Sequence, residues 1–123
     1  YQDGLADCAR REIVTSHAAF AYLADRYALQ QISITGSSPE GEPAPRDLER
    51  AVDAVRETGA TTVFVEPLVS AHVAEAVARE AGAQTAVLNP IEGLTESQQD
   101  RGADYFSLMR ANLETLRKAL ACR

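Results

Sequence analysis

The sequence predicts an α/β fold: a four-stranded parallel sheet with crossover helices, strand order 2-1-3-4. Two observations lead there. Four short apolar runs alternate with four segments of helical periodicity, the pattern of parallel strands joined through helices. The length of 123 residues, with 46% hydrophobic and 24% charged side chains, suits one domain around one core. No apolar run is long enough to span a bilayer, and no internal repeat interrupts the alternation.

The first run, Ile13-Val14-Thr15, ends at Ser16, a good N-cap for a helix with Phe20, Leu23, Ala24 and Tyr27 on one face. This places His17 at the first helical position. The second run, Ile32-Ser33-Ile34-Thr35, alternates apolar and polar residues as an edge strand does, and Gly36 stops it. The stretch 37–45 holds Pro39, Pro43 and Pro45 and reads as a loop. Leu48, Val52 and Val55 then mark a second helix ending at Gly59.

The third run, Thr61-Thr62-Val63-Phe64-Val65, is β-branched or aromatic throughout, which suits a central strand buried on both faces. After Glu66-Pro67, Ser70 is expected to cap a helix carrying Val73 and Val77, closed by Gly82 in the left-handed conformation. The fourth run, Thr85-Ala86-Val87-Leu88, ends at Asn89-Pro90. A polar connection over 91–103 leads to the last helix, whose core face is read as Tyr105, Leu108, Met109, Leu113, Leu116 and Leu120. Leu5 and Ala6 offer too little apolar surface to fold alone, so the residues before Cys8 read as the tail of a preceding element.

A net charge of -6 argues against nucleic acid as a partner and is compatible with a cationic ligand. Tyr1-Gln2-Asp3-Gly4 shows no signal-peptide pattern and there is no initiator Met, so the chain reads as a processed or excised piece. Cys8 and Cys122 lie near the two ends without redox or metal-ligand spacing. A disulfide between them would stabilise by roughly 4–5 kcal/mol and imply an oxidising compartment; two free thiols are the alternative.

Ligands of open parallel sheets gather at the carboxyl ends of the strands. Those ends carry Ser16-His17, Ser38-Pro39-Glu40, Glu66-Pro67 and Asn89-Pro90-Ile91-Glu92. One imidazole and up to three carboxylates on one rim form a ligand set for a borderline divalent cation. At a helix N-terminus the dipole would disfavour imidazolium and keep His17 neutral for coordination. Structure alone would also explain His17 as a partly buried residue at a helix start. Ser16 and His17 are adjacent and diverge, so they supply no nucleophile and base. With no GxSxG, HExxH or phosphate-cradling loop either, the chain is read as no enzyme.

The segment Val14-Thr15-Ser16-His17-Ala18-Ala19-Phe20-Ala21-Tyr22-Leu23 resembles the TSHxAFxYL segment of the zinc and manganese solute-binding proteins of ABC importers, the cluster A-I family. Ser38-Pro39-Glu40-Gly41-Glu42-Pro43, Val63-Phe64-Val65-Glu66-Pro67, Asn89-Pro90-Ile91-Glu92-Gly93-Leu94 and Asp104-Tyr105-Phe106-Ser107-Leu108-Met109 agree in order. The resemblance spans about residues 12–120 and implies two α/β lobes joined by a long helix, with the metal between them. It assigns 1–11 to the tail of the linking helix and 12–123 to the C-terminal metal-binding lobe. His17 then matches a direct ligand, its identity favouring Zn2+ over Mn2+, and Glu92 matches a carboxylate ligand position. Glu66 matches a strand-end acid that would orient His17, a solvated or helix-capping acid being the alternative. The resemblance supplies no ligand role for His72, and loop solvation accounts for Glu40 and Glu42. It implies an extracytoplasmic, periplasmic or lipid-anchored protein partnered by its N-terminal lobe and an ABC permease, while a homodimer of the lobe could complete the coordination sphere. A receiver-like signalling domain is the competing reading, but it would need an acidic pair after the first strand, where this chain has Ser16-His17.

Overall fold

The computed structural model describes residues 1–34, 44–68 and 70–123. The expected loop motif with Glu40 and Glu42 lies outside them. The elements run β1 (Glu12–Thr15), α1 (Ala21–Arg26), β2 (Gln30–Ser33), α2 (Pro45–Thr58), β3 (Thr62–Val65), α3 (His72–Ala81), β4 (Gln84–Val87), α4 (Glu96–Asp100) and α5 (Tyr105–Ala119). The sheet is parallel throughout, in the order β2-β1-β3-β4 that the sequence predicts.

Alternation along the two central strands builds two cores. Ile13 of β1 and Phe64 of β3 face one side of the sheet, where Phe20, Ala24 and Leu29 around α1 and Leu116 and Leu120 at the end of α5 cover them. Val14 and Val63 face the other side, against Ala51 and Val55 of α2 and Ala74, Val77 and Ala78 of α3. Each fully buried Val, Leu, Ile or Phe contributes about 1.5–3 kcal/mol, so these interleaved faces fix the register of the sheet. Gly59 and Gly82 end α2 and α3 where expected, and both adopt the left-handed conformation, which was expected of Gly82.

Several expectations are corrected. The helix after β1 begins at Ala21 with Phe20 at its N-cap, so Ser16 is not the cap of α1 and His17 is not helical. The reason is local. The His17 carbonyl accepts from Thr15 Oγ1 (2.8 Å), from Gln31 Nε2 (3.3 Å) and from the Ala19 N–H (2.9 Å), which turns 16–20 inward as a loop. Strand β2 starts two residues earlier than predicted, because pairing with β1 sets Glu12 opposite Gln30 and Thr15 opposite Ser33. Helix α3 has Ala71 at its N-cap; the Ser70 hydroxyl accepts from the His72 N–H instead (3.4 Å). The polar connection before α5 contains the short helix α4, capped by Thr95 with Gln98 returning the bond. Tyr105, read as core, is 58% exposed, whereas Asn112 is buried on the inner face of α5.

Residues 1–11 hold one helical turn, in which the Leu5 N–H donates to the Tyr1 carbonyl (2.9 Å), and then a bridge to the end of the chain. Leu5 is fully buried, so this segment contributes to the core more than its composition suggests. Cys8 and Cys122 form a disulfide across 114 residues of sequence. Both lie toward the amino ends of the strands, since Cys8 precedes β1 and Ala119, at the end of α5, accepts from Thr61 Oγ1 just ahead of β3.

Candidate metal centre

At the opposite, carboxyl end of the sheet three expected residues meet. His17 follows β1, Glu66 follows β3, and Glu92 lies in the turn after β4; their donor atoms all lie within 4.8 Å of one another. Adjacent parallel strands bring together what the sequence separates, because β1 and β3 pair directly and β3 pairs with β4. His17 and Glu66 are buried, and Glu92 is exposed at the mouth. His72 is exposed at the start of α3, outside this cluster.

His17 Nδ1 and Glu66 Oε2 form a close ion-pair contact. The Ser16 hydroxyl also reaches Glu66 Oε2 (3.4 Å). Burial pushes the Glu66 carboxyl above the ordinary glutamate range; the neighbouring His17 pulls it back and the negative charge of Glu92 adds to the rise. The expected role of a helix dipole at His17 falls away, since His17 sits in a loop, and its electrostatic partner is Glu66.

The turn that carries Glu92 is held tightly. Asn89 and Asn112 are both buried: the Asn89 N–H donates to Asn112 Oδ1 (2.8 Å), and Asn112 Nδ2 donates to the Asn89 carbonyl (2.7 Å). Asn89 Oδ1 accepts from the Ile91 N–H (2.8 Å), and Ile91 adopts φ +60°, an uncommon conformation for a β-branched residue. On the other side Gln31 Nε2 donates to Thr15 Oγ1 (2.9 Å), which fixes the loop bearing His17. Sequence reasoning missed Gln31 and the asparagine pair. The signal for Asn112 was present as a polar residue midway between Leu108 and Leu116 at i, i+4, i+8 spacing.

Zinc bonds of about 2.0–2.2 Å in a tetrahedron give donor separations of roughly 3.4 Å, so atoms within 4.8 Å need only small adjustments to share an ion. One nitrogen and two carboxylates suit a borderline divalent cation in both donor type and charge.

A family described as ZnuA, zinc-uptake complex component A, periplasmic, matches residues 1–119. The chain belongs to this family. Proteins similar to it include the zinc-binding protein AdcA of Streptococcus pyogenes serotype M6, 44% identical over 117 residues that cover 95% of this chain and 23% of AdcA. The high-affinity zinc uptake system protein ZnuA of Bacillus subtilis is 39% identical over 111 residues, 90% of this chain and 35% of that protein. Among solved structures, the laminin-binding protein Lbp of S. pyogenes superposes with a TM-score of 0.87 at 38% identity, covering 98% of this chain and 46% of Lbp. The Zn(II)-bound ZnuA-like domain of Streptococcus pneumoniae AdcA gives 0.78 at 38% identity, with 98% and 45% coverage. This chain therefore spans 23% and 35% of these two curated relatives and under half of the solved ones.

Proposed function

We propose that this chain is the C-terminal lobe of an extracytoplasmic binding protein that captures zinc for an ABC importer. One observation carries the reading: the donor atoms of His17, Glu66 and Glu92 converge within 4.8 Å at the carboxyl ends of the sheet. His17 and Glu92 are the ligands this lobe contributes, and the preceding lobe supplies the others. Glu66 orients the imidazole through its contact with Nδ1, as ligating histidines usually require from a neighbouring acceptor. Residues 1–11 belong to the connection between lobes. Zinc is cargo here, not a cofactor for turnover, so the protein is a binding module that hands its ion to a membrane permease. The zinc-binding names of similar proteins and the family's periplasmic description support this reading.

Calorimetric titration of the 123-residue chain with zinc, with sedimentation analysis alongside, tests it. With only part of the coordination sphere present, the expected result is weak one-to-one binding that disappears in His17→Ala. Binding that persists unchanged in a His17→Ala/Glu92→Gln double variant would overturn the assignment.

A further inference from the structure

We propose that Asn89 is a positioning residue of this site, carrying the order of α5 to the Glu66 carboxylate through one internal water. The inference rests on the metal-capture reading and extends it to a residue that touches no metal.

Asn89 is 6% exposed, and its hydrogen bonds assign its orientation. The Ile91 N–H can only donate, so the amide atom it meets is the acceptor Oδ1, and Nδ2 is the end directed elsewhere. Among the described residues Nδ2 is buried without a hydrogen-bond partner, and so is Glu66 Oε1. Both residues line one small cavity with Pro67, Leu68, Pro90 and Glu92. An amide donor and a carboxylate acceptor are complementary, and leaving each unpaired would cost about 1–3 kcal/mol. The cavity volume of about 10 Å³ is of the order needed for a single water, with the nearby Glu92 carboxylate as a third partner.

The consequence is a continuous polar chain. Asn112 of α5 clamps the backbone of Asn89, and Asn89 Nδ2 donates to the water, which donates in turn to Glu66 Oε1. The other oxygen, Oε2, meets Ser16 Oγ and His17 Nδ1. A carboxylate tied at both oxygens cannot rotate away from the imidazole, so the ring is held ready at the rim before an ion arrives.

Two measurements test this. A crystal structure of the metal-free chain at about 1.2 Å resolution is expected to show a water within hydrogen-bond distance of both Asn89 Nδ2 and Glu66 Oε1. Asn89 Nδ2 bonded to another group, with no such water, overturns the proposal. The second measurement is a double-variant cycle on zinc affinity, read by competition with a chromogenic chelator. Asn89→Ala removes the donor and with it the water's tie to α5; affinity should fall about 10-fold. Glu66→Ala removes the group that the water positions, so in that background Asn89→Ala should cost little more. Losses that simply add would overturn the positioning role. If the variants do not fold, the crystal structure decides. If the parent chain binds no zinc, the metal-capture reading fails while the crystal structure still decides the water bridge.

Discussion

His17 Nδ1 and Glu66 Oε2 meet across the carboxyl ends of two neighbouring parallel strands, with both side chains 4% exposed. A buried imidazole beside a buried carboxylate is costly to assemble unless something is gained from it. On the proposed reading, the gain is an imidazole held in place by Glu66 before the exposed Glu92 meets an ion.

The proposed ligands should dominate affinity. His17→Ala is expected to weaken zinc binding by more than about 100-fold, beyond the range usual for residues that merely support a ligand. Glu92→Gln should also weaken it while slightly raising the thermal stability of the metal-free chain at neutral pH, because Glu92 is exposed and its charge repels that of Glu66. Chelator competition and thermal denaturation measure the two effects separately.

Glu66 sets a pH dependence of the opposite sign to that of an ordinary paired acid. Its folded pKa is raised by burial, so the folded state binds the proton more tightly than the unfolded chain. Its contribution to stability is therefore complete below the unfolded glutamate value and is lost as pH rises through the raised folded value. Glu66→Gln should remove that loss, raising the melting temperature of the metal-free chain at neutral pH by a few degrees and leaving it little changed at about pH 4. Melting curves at the two pH values check the sign, and a lower melting temperature at neutral pH would contradict it.

Asn112 joins α5 to the turn after β4 through two hydrogen bonds of 2.7 and 2.8 Å to the Asn89 backbone. Asn112→Leu keeps the branching at Cγ and leaves a buried N–H and a buried C=O unpaired, at a cost of about 2–6 kcal/mol. Urea denaturation should show the midpoint falling with an unchanged slope.

Paired Cys8→Ser/Cys122→Ser substitution should cost about 4–5 kcal/mol through the freed loop entropy. Zinc binding by the folded fraction should stay the same, since the disulfide lies at the amino ends of the strands and the metal cluster at the carboxyl ends. Denaturation and zinc titration of the same samples check both halves of the prediction.

The strand order and the rim residues were legible because alternating cores leave their period in the sequence. Ile13 and Val14, like Val63 and Phe64, serve opposite faces, and Gly59 and Gly82 announce the ends of α2 and α3. The start of α1 was not legible, because the hydrogen bond from Gln31 to the His17 carbonyl comes from the neighbouring strand β2, beyond the reach of a local pattern. Helix α4 is shorter than the window in which periodicity shows, although Thr95 and Gln98 carry the spacing of a capping box. His17, Glu66 and Glu92 were legible as rim residues from topology. The contact between His17 and Glu66 and the clamp by Asn112 depend on side-chain placement across strands and helices, which no local pattern records.

The sulfur bridge also has a mechanical meaning. A pull applied at Tyr1 and Arg123 meets the covalent link between Cys8 and Cys122 before it reaches any strand. Force entering at that end is carried through two cysteines, and the cluster of His17, Glu66 and Glu92 at the far end lies off that path.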